Sequence, residues 1–381
     1  MRKIRLFTPG PTPLMPEAQL AMSRPILHHR TAQFKELLLE TRQNLQKIFK
    51  TKNDVVILAS SGTGAMEAAV TNLLCCDDHA LVVVAGKFGQ RWEELCQTHG
   101  IPHTSIDKES GQAASPEEIC QSLKHNPKIK VVLIQGCETS TGTAHDLEQI
   151  AERIHSEFPQ VLIVVDAITA LLTQPVETDL WGLDIVISGS QKSFALPPGL
   201  SFLSLSSRAL EKIEANPSHP YYFDLAKEAT QQRNGQSAFT PAISLIVGLS
   251  ETTREILRQG LDPVLAETEL MARATREGLK ALGFRLLSSS PANAVTAAFP
   301  PEGVSSVELS KRLEGELGIK IAGGQGELKQ KIIRIAHLGY FDLLDVFSVL
   351  SAVELCLLKM GAKIELGASL QAAMTEAAKG S

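Results

Sequence analysis

The sequence predicts an α/β protein, with a large domain built on a mostly parallel sheet between helices and a smaller C-terminal α+β domain. Three observations lead there. Short uninterrupted apolar runs alternate with helical stretches through the first half, and such runs mark strands covered on both faces. At 381 residues the chain is too long for one ordinary core. A long helical stretch over 242–282, punctured at Gly260 and Pro263, then separates two differently patterned parts. The expected organisation is an N-terminal arm over 1–16, a large domain over 17–262 and a small domain over 263–381.

Taken in order, Pro9-Gly10-Pro11-Thr12-Pro13 and Pro16 deny the first residues regular structure and favour an extended arm, whose stiffness points to packing across a subunit boundary. Apolar Phe34, Leu37, Leu38, Leu45, Ile48 and Phe49 recur among charges with the period of an amphipathic helix over 31–50. Strands are expected at 55–59, 80–85, 130–134, 161–165, 183–187 and 201–205. Residues 215–240 are polar and hold Tyr221 and Tyr222, and the stretch runs out through Gly235-Gln236-Ser237-Ala238-Phe239-Thr240-Pro241. The small domain reads as strands near 284–287, 294–298 and 332–335, with helices near 306–317 and 343–358. After Gly361 an Ala-rich tail is expected to fray.

A formal net charge of −5 argues against a nucleic-acid binder, which would carry a basic surplus. No apolar run approaches the length of a membrane span, and the basic start breaks at Pro9-Gly10-Pro11 before any signal-like segment. The six cysteines, at 75, 76, 96, 120, 137 and 356, include no C-x-x-C pair and no histidine at ligand spacing. A reduced, cytoplasmic protein without a metal site is the expectation.

The chemistry gathers at strand ends. The 55–59 strand runs into Ser60-Ser61-Gly62-Thr63-Gly64 and then a helix, a junction whose free N–H groups suit a phosphate, or which is a plain Gly-rich turn. Phe88 stands between glycines in a loop, where it can stack on a planar ligand. Thr139, Ser140 and Thr141 can donate to an oxyanion or cap a turn. Asp166 follows five apolar residues, so a partner or a capping role must offset its burial. Lys192, in Ser188-Gly189-Ser190-Gln191-Lys192, has little to pack against and is either a solvated strand-end lysine or an imine-forming nucleophile. In open α/β sheets ligands sit beyond the carboxyl ends of the strands, so one crevice can collect all five. A cofactor with a phosphate, a flat ring, a ring nitrogen to protonate and an aldehyde uses every one of them, and pyridoxal 5′-phosphate has all four.

At this point the sequence resembles the class V, fold-type I pyridoxal-phosphate aminotransferases of the alanine–glyoxylate, serine–pyruvate and serine–glyoxylate group, including proteins labelled soluble hydrogenase small subunit. The resemblance spans nearly the whole chain. It rests on Pro9-Gly10-Pro11-Thr12, Ser61-Gly62-Thr63-Gly64-Ala65-Met66-Glu67-Ala68, Gly86-Lys87-Phe88-Gly89-Gln90-Arg91, Glu138-Thr139-Ser140-Thr141-Gly142, Val165-Asp166-Ala167, Ser188-Gly189-Ser190-Gln191-Lys192 and Ile333-Arg334-Ile335. It implies that Lys192 binds the cofactor aldehyde and moves the substrate proton, while Asp166 holds the pyridine nitrogen. It further implies that Phe88 stacks, that Thr139 contacts the ring and that Gly62, Thr63 and Gln191 hold the phosphate. Arg334 would clamp the substrate carboxylate.

A homodimer is implied as well, in which the loop ending Phe239-Thr240-Pro241 reaches the partner's phosphate. Two positions depart from the pattern. Phe88 replaces a frequent tryptophan, and Phe239 stands where some members carry a hydroxyl, leaving Ser237 or Thr240 to supply it. The implied activity is ping-pong transamination from alanine or serine to glyoxylate or pyruvate. A lyase or cysteine desulfurase on the same fold is one alternative, although Cys356, the only cysteine of the small domain, reads as core. A non-catalytic subunit that kept the scaffold is another.

Overall fold

The computed structural model describes residues 3–217 and 220–379. Met1 and Arg2 of the expected arm, two residues of the polar 215–240 stretch and the last two of the tail lie outside the described residues.

The chain opens on a short strand, β1 (Arg5–Phe7), that belongs to the smaller of two main sheets. The larger sheet has seven strands in the order β2 (Asp54–Leu58), β10 (Ser201–Leu205), β9 (Ile185–Gly189), β8 (Leu162–Asp166), β5 (Ile129–Gln135), β3 (His79–Val84) and β4 (His103–Asp107). Within it only β10 runs antiparallel to its neighbours. The reversal follows from the connection: residues 190–200 carry no helix, and a parallel return needs a crossover of a dozen or more residues.

Burial explains the continuous apolar runs. Val55, Ile57, Val132, Ile134, Ile163 and Val165 pack into one core, while Val56, Leu58, Val131, Leu133, Leu162 and Val164 pack into another on the opposite face. With successive side chains alternating sides, a strand between two cores must be apolar at every position. Edge strand β4 is only partly buried, and its mixed sequence His-Thr-Ser-Ile-Asp escaped the apolar signal. A hairpin of β6 (Cys137–Glu138) and β7 (Thr143–Ala144) follows β5 and was likewise not expected.

The second sheet has the order β1, β13 (Ile319–Gly323), β14 (Ile333–Ala336), β12 (Val295–Phe299) and β11 (Arg285–Leu286). It packs on helices Leu261–Ala281, Ser306–Leu317 and Leu343–Lys359. The predicted helical stretch over 242–282 is two helices, Ile243–Gln259 and Leu261–Ala281, broken where Gly260 takes φ +91°.

Two expectations need correction. The N-terminal stretch is not without regular structure, since β1 pairs in parallel with β13 and Phe7 is buried against Phe341 at 5.4 Å. Met15, a few residues on, is buried in the core of the large sheet, so the Pro-rich stretch bridges two cores of its own chain. The tail does not fray either. Helix Ala368–Ala378 docks through Ala373, and Arg273 pairs with Glu376 at 3.0 Å. Its start is held by buried Glu354, which accepts from the N–H of Gly367 and of Ser369, both at 2.8 Å, and from the Ser369 hydroxyl at 2.5 Å.

All three partners of Glu354 are donors, so an amide there would set N–H against N–H. Glu354→Gln should lower unfolding stability by about 1–3 kcal/mol, read by chemical denaturation. An unchanged midpoint would contradict this account of the tail.

Candidate active site

The loop after β9 delivers Lys192. Ser190 fixes the loop, donating its hydroxyl to Pro197 O at 2.7 Å and accepting from Leu200 N–H at 3.1 Å. Across this loop lies the N-terminal stretch. Thr12 donates its hydroxyl to Lys192 O at 3.0 Å and its N–H to Gln191 O at 3.3 Å, while Lys192 Nζ donates to Pro9 O at 2.5 Å. Gly10 has φ +140°, and a Cβ there would stand 2.1 Å from Lys192 Nζ. Only glycine lets the main chain approach the amine this closely.

Asp166 ends β8, next to β9, and is 3% exposed. One carboxylate oxygen accepts from Ile168 N–H at 2.9 Å. The side chain of Ile168 also meets the start of helix Gly62–Leu73, where a Cβ on Gly62 would come within 2.3 Å of it. Glycine at 62 thus lets the helix start pack directly on Ile168, two residues beyond Asp166. The cap residue Ser61 makes no side-chain bond, so the first N–H groups of the helix stay available to an anion. Thr63 accepts from Arg91 at 3.2 Å, and the Arg91 guanidinium lies 4.8 Å from the centre of the Phe88 ring.

Period-two alternation on β14 sends Ile333 and Ile335 into the small core and turns Arg334 to the other face. Arg334 is 5% exposed, and it donates to Gly323 O at 2.9 Å and to Thr139 O at 2.8 Å. Among the described residues no carboxylate pairs with it. The Thr139 hydroxyl is 2.7 Å from that of Thr169.

The two remaining predicted residues stand apart. Ser237 donates to Phe239 O at 2.6 Å, and with exposed Thr240 it lines a crevice shared with Leu58, Leu200 and Tyr222. Among the described residues no hydrogen bond joins either residue to Lys192.

Sequence reasoning missed Glu138 as a site residue. It is fully buried and accepts from Phe88 N–H at 3.0 Å, Gly89 N–H at 2.9 Å, Ser140 N–H at 3.1 Å and the Ser140 hydroxyl at 2.5 Å. The signal that marked Asp166, a carboxylate directly after five apolar residues, is absent at Glu138, which follows Gln135-Gly136-Cys137 and sits in the short strand β6.

Burial dominates the electrostatics. It draws the Lys192 amine down to about 8 against the pull of Asp166, with Arg334 and Arg91 adding to the fall. Asp166 is pushed up to about 7 by burial, with Glu138 adding to the rise while its Ile168 bond, Arg91 and Lys192 oppose it. Arg334 is drawn down to about 10 by burial. Buried Gln191 Oε1, Ser188 Oγ and Ser193 Oγ have no partner among the described residues. Unsatisfied polar atoms around an amine, an acid and an unpaired guanidinium fit a polar, anionic, ring-bearing group, and pyridoxal phosphate has those features.

Asp166 in the unfolded chain titrates near ~3.9, so its raised value favours folding below that pH and costs stability progressively as pH rises toward 7. Asp166→Asn should therefore raise the Tm of the cofactor-free protein at pH 8, with the gain shrinking as pH falls toward 4. A gain that does not change with pH would refute the burial account.

Comparison with known proteins identifies the family. The profile of the family described as Aminotransferase class-V matches residues 18–334. The soluble hydrogenase 42 kDa subunit of Anabaena cylindrica is 38% identical over 363 residues, 94% of each chain. The L-aspartate–glyoxylate aminotransferase of Paracoccus denitrificans is 31% identical over 375 residues, 97% of this chain and 94% of that one. The crystal structure of an alanine–glyoxylate aminotransferase from Nostoc sp. superposes with a TM-score of 0.89 at 28% identity, covering 94% of this chain and 96% of that one. The chain belongs to the class-V aminotransferase family and is a pyridoxal-phosphate-dependent aminotransferase.

Proposed function

We propose that this enzyme passes an amino group from a small amino acid, alanine or serine, to glyoxylate or pyruvate, as a cytoplasmic homodimer. The observation that supports this most is Arg334, a buried guanidinium fixed by two main-chain carbonyls and free of any carboxylate among the described residues. Such a group is ready to grip an α-carboxylate without first giving up an ion pair. Amino donor and oxo acid both carry that carboxylate, so they compete for one clamp and bind in turn. A ping-pong order follows.

When bound, the pyridoxal ring supplies an electron sink for the pair left at substrate Cα. Lys192 anchors the aldehyde end and, with its pKa drawn to about 8, can take and return the Cα proton near neutrality. Asp166 would hold a proton at the ring nitrogen, and Phe88 and Thr139 would hold the ring. Gly62, Thr63 and Gln191 would hold the phosphate. Ser237 or Thr240 would contact the cofactor phosphate held by a partner subunit.

A second reading widens the donor to aspartate. Arg91 carries a second guanidinium without a carboxylate partner among the described residues, and one relative is named for aspartate and glyoxylate. Desulfurase chemistry has less support, because Cys356 is buried in helix Leu343–Lys359 and burial raises its thiol pKa. A non-catalytic role would not call for both Lys192 and Asp166.

Added pyridoxal phosphate should give wild-type protein a visible absorption band that Lys192→Ala lacks, and a band in the variant would overturn the anchor. Arg334→Ala should raise KM for donor and oxo acid alike by roughly a hundredfold; unchanged KM values sink the clamp. Assays of alanine, serine and aspartate against glyoxylate and pyruvate decide the donor.

A further inference from the structure

We infer that Glu138 is a positioning residue that holds the Phe88 platform in register with the Arg334 clamp, and this rests on the roles proposed above for those two residues. Helix Lys87–Thr98 begins at Phe88's neighbour, and its first N–H groups need acceptors. Gly86 stands at the capping position and has no side chain to offer. The acceptors come instead from a loop some fifty residues later. Ser140 Oγ accepts from Lys87 N–H at 3.0 Å, and Glu138 Oε2 accepts from Phe88 and Gly89 N–H. A negative carboxylate at a helix start also faces the positive end of the helix dipole.

The fit is tight. A Cβ on Gly86 would lie 2.4 Å from Ser140 Oγ and 2.7 Å from Glu138 Cγ, and its φ of +157° is one that other residues rarely adopt. The carboxylate's other oxygen takes the N–H and hydroxyl of Ser140. Between these two residues sits Thr139, whose carbonyl anchors Arg334. One side chain thus ties the helix that carries the aromatic ring to the peptide that aims the guanidinium.

All four donors point at Glu138, so it acts as an acceptor throughout and serves as an anion. Burial raises its pKa, and the bonds from Ser140, Gly89 and Phe88 work against that rise. An isosteric amide cannot replace it. Wherever its NH2 falls, that group meets a main-chain N–H that can only donate.

The test compares Glu138→Gln with Glu354→Gln, another buried carboxylate held by two amides and a serine hydroxyl but lying in the small-sheet core, away from the site. Both variants should lose thermal stability. Only Glu138→Gln should also weaken pyridoxal phosphate binding by the cofactor-free protein, read by tryptophan fluorescence, and raise KM for both substrates, each by roughly tenfold. Binding and KM within twofold of wild type in Glu138→Gln, or equal losses in Glu354→Gln, overturn the inference.

Should Glu138→Gln not fold, Ser140→Ala keeps the carboxylate and removes one of its donors together with the acceptor of Lys87 N–H, loosening the same tie between loop and helix. It should weaken cofactor binding by roughly threefold, and unchanged binding counts against the proposal. These outcomes are separable from failure of the proposed function, which would appear in wild-type protein as no cofactor band, or in Arg334→Ala as unchanged KM.

Discussion

The site depends on satisfying buried charges with main-chain dipoles instead of with one another. Glu138 takes three amides and a hydroxyl, Arg334 gives to two carbonyls, Lys192 gives to one and Asp166 takes one amide. Had Arg334 paired with Glu138, or Lys192 with Asp166, the desolvation cost would have been offset internally, and a ligand would have had to break the pair. Peptide partners hold each group in place and leave its charge uncompensated. A substrate carboxylate or a cofactor ring then supplies what is missing.

That arrangement has a thermodynamic cost, visible in the direction of every shift. Burial pushes Asp166 up and draws Lys192 and Arg334 down, each away from its charged form. The surrounding fold compensates with two cores, one on each face of the seven-stranded sheet, and with a third under the small sheet. The N-terminal stretch links them, with Phe7 buried in one core and Met15 in another. Between those anchors Gly10 is pressed against the Lys192 amine. The stretch that the sequence marks as an extended arm forms part of the wall of the site.

Much of the site was legible in the sequence because parallel strands buried on both faces announce themselves as unbroken apolar runs, and their carboxyl ends fall on one edge. Asp166 and Lys192 could be placed from that rule alone, and the alternation Ile333-Arg334-Ile335 turns one charged residue away from two apolar ones. Edge strand β4, partly buried, lacked the run and was missed, as were the two-residue strands of the hairpin. The docked tail helix was missed because its anchor, Glu354, sits in a different helix.

The sequence by itself determined the fold class, the strand ends and the chemical types gathered there, since period and composition are local properties of the chain. Tertiary structure alone decided how those groups are held. Thr12 meets Lys192 across 180 residues and Arg334 meets Thr139 across 195, and no local pattern encodes such distant partners. Glu138 marks the boundary between the two. It lies four residues past the apolar run that ends at Ile134, and the N–H groups it caps belong to a helix that packing alone brings alongside.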